Sequence, residues 1–276
     1  SRSKGRFDQY PSSAAKFFKA DGSLYEMGET WRQPDLAHTL ELIQNNGADG
    51  FYIGENAERL SGFMADIGGI ITEEDLLKYE PQEREPIRGT YRGYDIVSMP
   101  PPSSGGVILV EMLNILEGFD LADMGHNSAD YLHVLTETMR RAYADRAEHL
   151  GDPDFNEGMP LQRLMDKDYA ETLRASIDMD AASQSSPADF AQIYESEETT
   201  HFSIVDKEGN MVSMTYTLEF GYGSGIVVEG GGYLLNNEMG DFNAVPGVTT
   251  ARGLIGTAPN LIEPEKRPLS SMTPTI

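Results

Sequence analysis

Five histidines, His38, His126, His133, His149 and His201, make up the whole imidazole complement of this 276-residue chain. None stands in a His-x-x-x-His or His-Glu-x-x-His spacing, so paired zinc ligands on a helix face have no support. Cysteine is absent, which removes disulfides, thiolate nucleophiles and thiolate metal sites together. The run Asp152-Pro153-Asp154-Phe155-Asn156-Glu157-Gly158 has the acidic alternation of a calcium loop. Its sixth position is Glu157, where the sharp turn needs glycine, and its twelfth is Arg163, where a bidentate glutamate belongs. A capped turn between helices accounts for it better. Gly221-Tyr222-Gly223-Ser224-Gly225 lacks the lysine of a phosphate loop. What is left is Thr199-Thr200, directly after the acidic run 194–198. A threonine hydroxyl is barely ionised at neutral pH. It becomes a nucleophile when an α-amine on the same residue can take its proton, which requires a chain that begins there. In this sequence that means cleavage between Glu198 and Thr199. β-propensity also accounts for two threonines at a strand start, so the pair alone leaves both readings open.

The elements that must position these residues change character along the chain. Leu36, Leu40 and Ile43 recur at helical spacing after Pro34, and Asn45-Asn46-Gly47 ends that helix. Ala57, Leu60, Phe63, Met64 and Ile67 mark a second helix, and Thr72 reads as the cap of a third. Tyr91, Tyr94, Ile96 and Val97 are strand-like and run into Pro100-Pro101-Pro102, where pairing must stop. A helix is expected from Val107 to about Leu116. A longer one is expected from Ser128 to His149, with Leu132, Leu135, Met139 and Ala142 on its apolar face. Residues 178–189 lack periodicity and read as a surface loop. Beyond them the period becomes two: Phe202 and Ile204 lead through Lys207-Glu208-Gly209-Asn210 into Met211, Ser213, Thr215 and Thr217, a β-hairpin. Tyr233-Leu234-Leu235 reads as a short buried strand. Helices first and an antiparallel sheet after them make an α/β (α+β) domain spanning 1–276 the economical reading.

Composition narrows the partners. Lys and Arg number 21 against 45 Asp and Glu, a net charge of −24, which repels phosphate backbones and anionic lipid. Nucleic-acid partners are therefore not expected. The hydrophobic share of 39%, with 13 Tyr and 11 Phe, suffices for a packed core. No apolar run is long enough to span a bilayer. Both ends read as cut: the start lacks an apolar leader, and Pro274-Thr275-Ile276 stops as a β-branched run begins.

From Thr199 onward the sequence resembles the small subunit of the γ-glutamyltranspeptidase family, a group of N-terminal nucleophile hydrolases. The matching runs are Thr199-Thr200-His201-Phe202-Ser203, Thr215-Tyr216-Thr217-Leu218, Leu235-Asn236-Asn237-Glu238-Met239, Asp241-Phe242 and Lys266-Arg267-Pro268-Leu269-Ser270-Ser271-Met272. Upstream, Met99 to Gly106, Ala144-Asp145-Arg146 and Gly151-Asp152-Pro153 are similar to the family's large subunit. The resemblance implies an αββα sandwich with a large-subunit-like part, 1–198, and a small-subunit-like part, 199–276. It implies autoproteolysis at Glu198-Thr199, with pairing of the two subunits afterwards. It further implies γ-glutamyl transfer from glutathione or another γ-glutamyl amide to an amino acid, a peptide or water, through a Thr199 acyl-enzyme. Thr217 matches the threonine that hydrogen-bonds the nucleophile. Glu238 and Asp241 match positions that hold the substrate ammonium, and Ser270 and Ser271 match those that hold its carboxylate. No metal and no organic cofactor are implied, and family members are usually periplasmic or extracellular.

Two positions depart from the family pattern. Glu219 stands where many members carry Asn, adding a third carboxylate at the ammonium site. Residues 246–257 correspond to a lid loop, with Arg252 where a gating tyrosine is often found. The family's N-terminal carboxylate-binding arginine and its Gly-Gly oxyanion hole have no counterpart in these 276 residues, so the isolated chain is expected to turn over weakly or not at all. Two other readings are kept: a β-lactam side-chain (glutaryl or cephalosporin) acylase on the same scaffold, and a non-catalytic binding or assembly fragment.

Overall fold

A computed structural model describes residues 3–184, 199–243, 246–247 and 257–276. Their contacts divide the chain into two compact units. The first is Ser1–Glu83 with Thr217–Asn237, the second Arg84–Tyr216 with Glu238–Ile276. Neither unit stops at the 198/199 junction, and each takes residues from both sides of it.

The first unit is helical: α1 (Lys4–Phe7), α2 (Pro11–Phe17), α3 (Pro34–Asn46), α4 (Asp49–Tyr52), α5 (Glu55–Asp66) and α6 (Glu73–Lys78). Pro34 begins α3 with its φ preset and no N–H to satisfy, and Gly47 ends it at φ +63°. The Thr72 hydroxyl accepts from the Asp75 N–H while the Asp75 carboxylate accepts from the Thr72 N–H, a reciprocal cap on α6. Ala57, Leu60, Leu76 and Val228 form the core, flanked by Phe63, Met64 and Tyr233. Two expectations are corrected. Leu40 is 55% exposed, and the buried residue of α3 is Thr39, whose hydroxyl donates to the Gly231 carbonyl at 2.8 Å. A short side chain that satisfies a loop carbonyl is the one this helix buries. Tyr233-Leu234-Leu235 forms no strand; Leu234 makes one isolated bridge to Val227, since Gly225, Gly230 and Gly232 ahead of it turn the chain at positive φ.

The second unit opens with antiparallel β1 (Ile87–Tyr91) and β2 (Tyr94–Ser98), Ile87 opposite Ser98 and Tyr91 opposite Tyr94. Arg92 and Gly93 join them, both at positive φ, the two-residue turn whose twist suits a hairpin. Ile276 extends the ladder, exchanging two 2.8 Å backbone bonds with Val97. Then follow α7 (Gly105–Leu116), α8 (Leu121–Met124), α9 (Ala129–His149), α10 (Leu161–Leu164) and α11 (Lys167–Ala175). Ile87, Val107, Ile108, Val110, Ala142, Leu150, Leu164 and Leu269 make its core. The hairpin of β3 (Thr200–Val205) and β4 (Met211–Tyr216) runs with Thr200 opposite Tyr216. The Asp206 carboxylate closes its turn by accepting from the N–H groups of Glu208 and Asn210. Residues 178–184 of the expected surface loop are described, and 185–189 lie outside the described residues. Among the described residues no helix is long and apolar enough to cross a membrane.

Of the apolar face expected for α9, Ala142 is buried and Leu135 and Met139 are half-buried, while Leu132 is corrected. Leu132 is 47% exposed, whereas Val134, Thr138, Ala142 and Asp145 are buried along with Glu137. Two of the buried polar groups have partners: Glu137 takes Arg140, Arg141 and Ser183, and Asp145 accepts from the Tyr169 hydroxyl at 2.8 Å. Burial pushes the Glu137 carboxyl up, but the Ser183 hydroxyl and the Arg141 guanidinium that donate to it prevail and bring its pKa down to about 2. Glu111 of α7 behaves oppositely. It is completely buried, and burial, then the Asp145 charge and a hydrogen bond with Asp145, push its pKa from 4.5 up to about 9.

At neutral pH the folded chain therefore holds a proton on Glu111 that the unfolded chain releases. This contribution to stability is intact below pH 4.5, declines as pH rises, and is exhausted at about 9. Urea unfolding from pH 4 to 9.5 checks it: Glu111→Gln is expected to gain steadily on the parent across that window and to level off above it. Parallel pH profiles would contradict the neutral assignment.

Candidate functional site

The turn before α7 builds a cradle in the second unit. Three prolines end strand pairing, and Ser103 bridges Ser270 in parallel. The Ser270 N–H donates to the Pro102 carbonyl at 3.0 Å, and the Ser270 carbonyl accepts from both the Ser104 N–H and the Ser104 hydroxyl at 2.9 Å. The Ser103 hydroxyl donates to the Met272 carbonyl at 2.6 Å. The approach is too close for side chains. A Cβ on Gly105 would lie 2.3 Å from Thr273 Oγ1 and 2.4 Å from the Met272 oxygen, and one on Gly106 would lie 2.3 Å from the Met99 oxygen.

Arg146, near the end of α9, reaches into this cradle. Its Nε donates to Ser104 Oγ at 2.8 Å and its terminal NH2 to Ser271 Oγ at 3.2 Å. Burial draws the guanidinium below the usual arginine value, and Tyr143 and Asp241 oppose that shift. Glu238 and Asp241 begin and end a single 3-10 turn. Burial raises the Asp241 carboxyl, while the Arg146 charge and a hydrogen bond with Glu238 pull it back. Asn260 fixes this turn, donating to the Asp241 carbonyl at 2.7 Å while its own oxygen accepts from the Leu269 N–H at 3.0 Å. One step earlier the wholly buried Asp152 accepts from the Arg267 N–H at 2.8 Å. Asp152 also accepts from the Asp154 N–H, which makes 152–158 the capped turn expected from its sequence.

Thr199 is exposed and immediately precedes β3; Thr217 immediately follows β4. They are the residues next outside the terminal Thr200–Tyr216 pair of the ladder. Thr217 and Glu219 belong to the first unit. The Glu219 N–H donates to Thr217 Oγ1 at 2.9 Å. Glu219 lies at φ +72°, a left-handed conformation that asparagine tolerates better than glutamate. Asn237 holds it there: its amide nitrogen donates to the Glu219 carboxylate, its amide oxygen accepts from the Phe220 N–H at 3.0 Å, and its N–H donates to the Leu218 carbonyl. Glu198, Arg252 and most of the 246–257 segment lie outside the described residues.

Within the second unit, then, Arg146 holds Ser271 directly and Ser270 through Ser104, and its charge acts on Asp241, which is hydrogen-bonded with Glu238. A donor-rich corner of hydroxyls and a guanidinium suits a carboxylate, and a pair of acids suits an ammonium. Sequence reasoning quoted Arg146 inside a motif and gave it no role. The signal was present: 132, 135, 139, 142 and 146 continue one helical spacing, and an arginine on such a face is a charge that needs partners. Asn237 and Asn260 left no comparable signal, because an asparagine's two-sided amide becomes informative only once its neighbours are known.

The gamma-glutamyltranspeptidase family model matches residues 1–276. The glutathione hydrolase proenzyme of Escherichia coli strain K12 is 50% identical over 270 residues, 97% of this chain and 46% of that protein. Among solved structures, Helicobacter pylori gamma-glutamyltranspeptidase aligns with a TM-score of 0.65 at 41% identity, covering 71% of this chain and 57% of the other. The cephalosporin acylase of Bacillus halodurans aligns with a TM-score of 0.80 at 27% identity, covering 99% and 48%. The chain spans about half the length of the curated relatives it matches. The α/β class and its N-terminal nucleophile hydrolase type agree with these structures.

The cradle makes its own prediction. Gly105→Ala is expected to cost about 1–3 kcal/mol of stability, as overpacking against fixed atoms does. A urea midpoint equal to that of the parent protein would show that residues 270–273 are not pinned there.

Proposed function

The chain belongs to the gamma-glutamyltranspeptidase family, and from that premise we propose that its protein transfers γ-glutamyl groups, after cutting itself between Glu198 and Thr199 into a large-subunit-like part, 1–198, and a small-subunit-like part, 199–276. The Thr199 hydroxyl attacks the Glu198 carbonyl, and the acyl group moves from nitrogen to oxygen as the C–N bond breaks and the Thr199 α-amine is freed; water then hydrolyses the ester, leaving a Glu198 carboxylate and restoring the Thr199 hydroxyl. That amine then takes the hydroxyl proton as Thr199 attacks the amide carbonyl of a γ-glutamyl donor such as glutathione. The C–N bond breaks, and the amine leaves carrying the proton. An amino acid, a peptide or water accepts the γ-glutamyl group from the resulting ester. Thr217 orients the nucleophile; Glu238 and Asp241, with Glu219, receive the donor's α-ammonium; Ser270 and Ser271 receive its α-carboxylate.

The observation that carries the substrate class is Arg146, whose guanidinium donates to the Ser271 hydroxyl while its charge opposes the rise that burial imposes on the Asp241 carboxyl. An α-amino acid end presents the matching pair of charges. The alignment with a cephalosporin acylase supports a second reading, a glutaryl-type donor that lacks the ammonium.

Intact-mass analysis of the full-length protein tests the mechanism. Two pieces divided at Thr199 are expected, and a single uncut chain with no turnover for Thr199→Ala. An uncut parent that is fully active would overturn it. The donor class is read by comparing p-nitroanilides: γ-glutamyl turnover is expected to exceed glutaryl turnover about 10-fold or more, because glutaryl leaves half-buried acids without a cation. The reverse order would select the acylase reading.

A further inference from the structure

We propose that Arg146 is the positioning residue that sets the Ser271 hydroxyl as a hydrogen-bond donor toward the substrate's α-carboxylate. The inference rests on the preceding reading of Ser270 and Ser271 and adds the group that controls them. A guanidinium has five donors and no acceptor, whereas a hydroxyl has one proton and two lone pairs. Ser271 Oγ accepts from the Arg146 NH2, so its own proton must point elsewhere. A free hydroxyl turns its hydrogen to suit any neighbour. One already used as an acceptor by a donor-only group is left able to give, which is what an incoming carboxylate requires.

The placement is built from both ends. Ser104 Oγ accepts from Arg146 Nε and donates onward to the Ser270 carbonyl, so the same arginine stiffens the backbone of the serine pair through one intermediate. A lysine in this place would carry the charge without the fork that spans Ser104 and Ser271. The charge of the same guanidinium acts on Asp241, a group read as holding the ammonium. Its removal is therefore expected to act with opposite sign on the two substrate charges: carboxylate recognition falls, while Asp241 loses a competitor for the ammonium.

Three p-nitroanilide donors separate these effects in the full-length, self-processed enzyme at pH 8: γ-glutamyl, glutaryl, which lacks the ammonium, and 4-aminobutanoyl, which lacks the carboxylate. For Arg146→Gln, KM is expected to rise about 10-fold or more for the two carboxylate-bearing donors with kcat changed much less. The kcat/KM for 4-aminobutanoyl is expected to hold within about twofold or to increase. Arg146→Lys is expected to restore only part of the loss, and Arg146→Gln with Ser271→Ala is expected to be no worse than the more damaging single change. Equal losses on all three donors, or full rescue by lysine, would overturn the inference. If Arg146→Gln does not fold, Arg146→Lys is read against the same three donors with the same criteria. Ser271→Ala alone separates the two levels. If it leaves KM for the carboxylate-bearing donors unchanged, the reading of Ser271 fails; if it raises that KM and the Arg146 variants do not, only the role of Arg146 fails.

Discussion

The second unit depends on a close approach between two stretches far apart in the chain, the turn 102–106 and the segment 270–273. Four hydrogen bonds tie them, two between main chains and two from serine hydroxyls to carbonyls, and two glycines leave room for nothing else. Because the polar groups at the start of α7 are partly satisfied by the 270–273 segment, helix and segment are held as one piece. The arginine of α9 then needs only one orientation to meet both. A site made of short hydroxyl side chains gains its precision this way, since serine has little reach and must be carried into place by the main chain.

Much of the local structure could be read from the amino acids. Pro34 and Gly47 bound α3, Thr72 caps α6 with Asp75, and the two-residue alternation after Thr200 yields the β3–β4 hairpin. These signals are local: each residue type prefers its position for reasons that act within one turn or one strand pair. The failures share a cause as well. Leu40, Leu132 and the run 233–235 were placed by apolar spacing alone, and tertiary partners decided otherwise: Thr39 satisfies a carbonyl, Glu137 has two arginines, and the glycines ahead of Tyr233 break the ladder.

The candidate site was legible to a different depth. Resemblance named Thr199, Thr217, Glu219, Glu238, Asp241, Ser270 and Ser271, and in the second unit Ser271 accepts from Arg146 while the same arginine's charge acts on Asp241. Arg146, Asn237 and Asn260 emerged only in three dimensions, because their work is to join segments distant in sequence. Glu219 is intermediate. The departure from asparagine was visible, but its backbone cost, a glutamate at φ +72° steadied by Asn237, was not.

Asp152 gives the serine pair a fixed phase. The main chain is gripped at Arg267 by this buried carboxylate, at Leu269 by Asn260 and at Ser270 by Ser104, three successive catches over four residues. A slide by one position would break all three at once and exchange the outlooks of the two adjacent hydroxyls, since neighbouring side chains on an extended segment point to opposite sides. The carboxylate far upstream thus works like the detent of a ratchet: it touches neither serine, yet it decides which of them looks at the guanidinium.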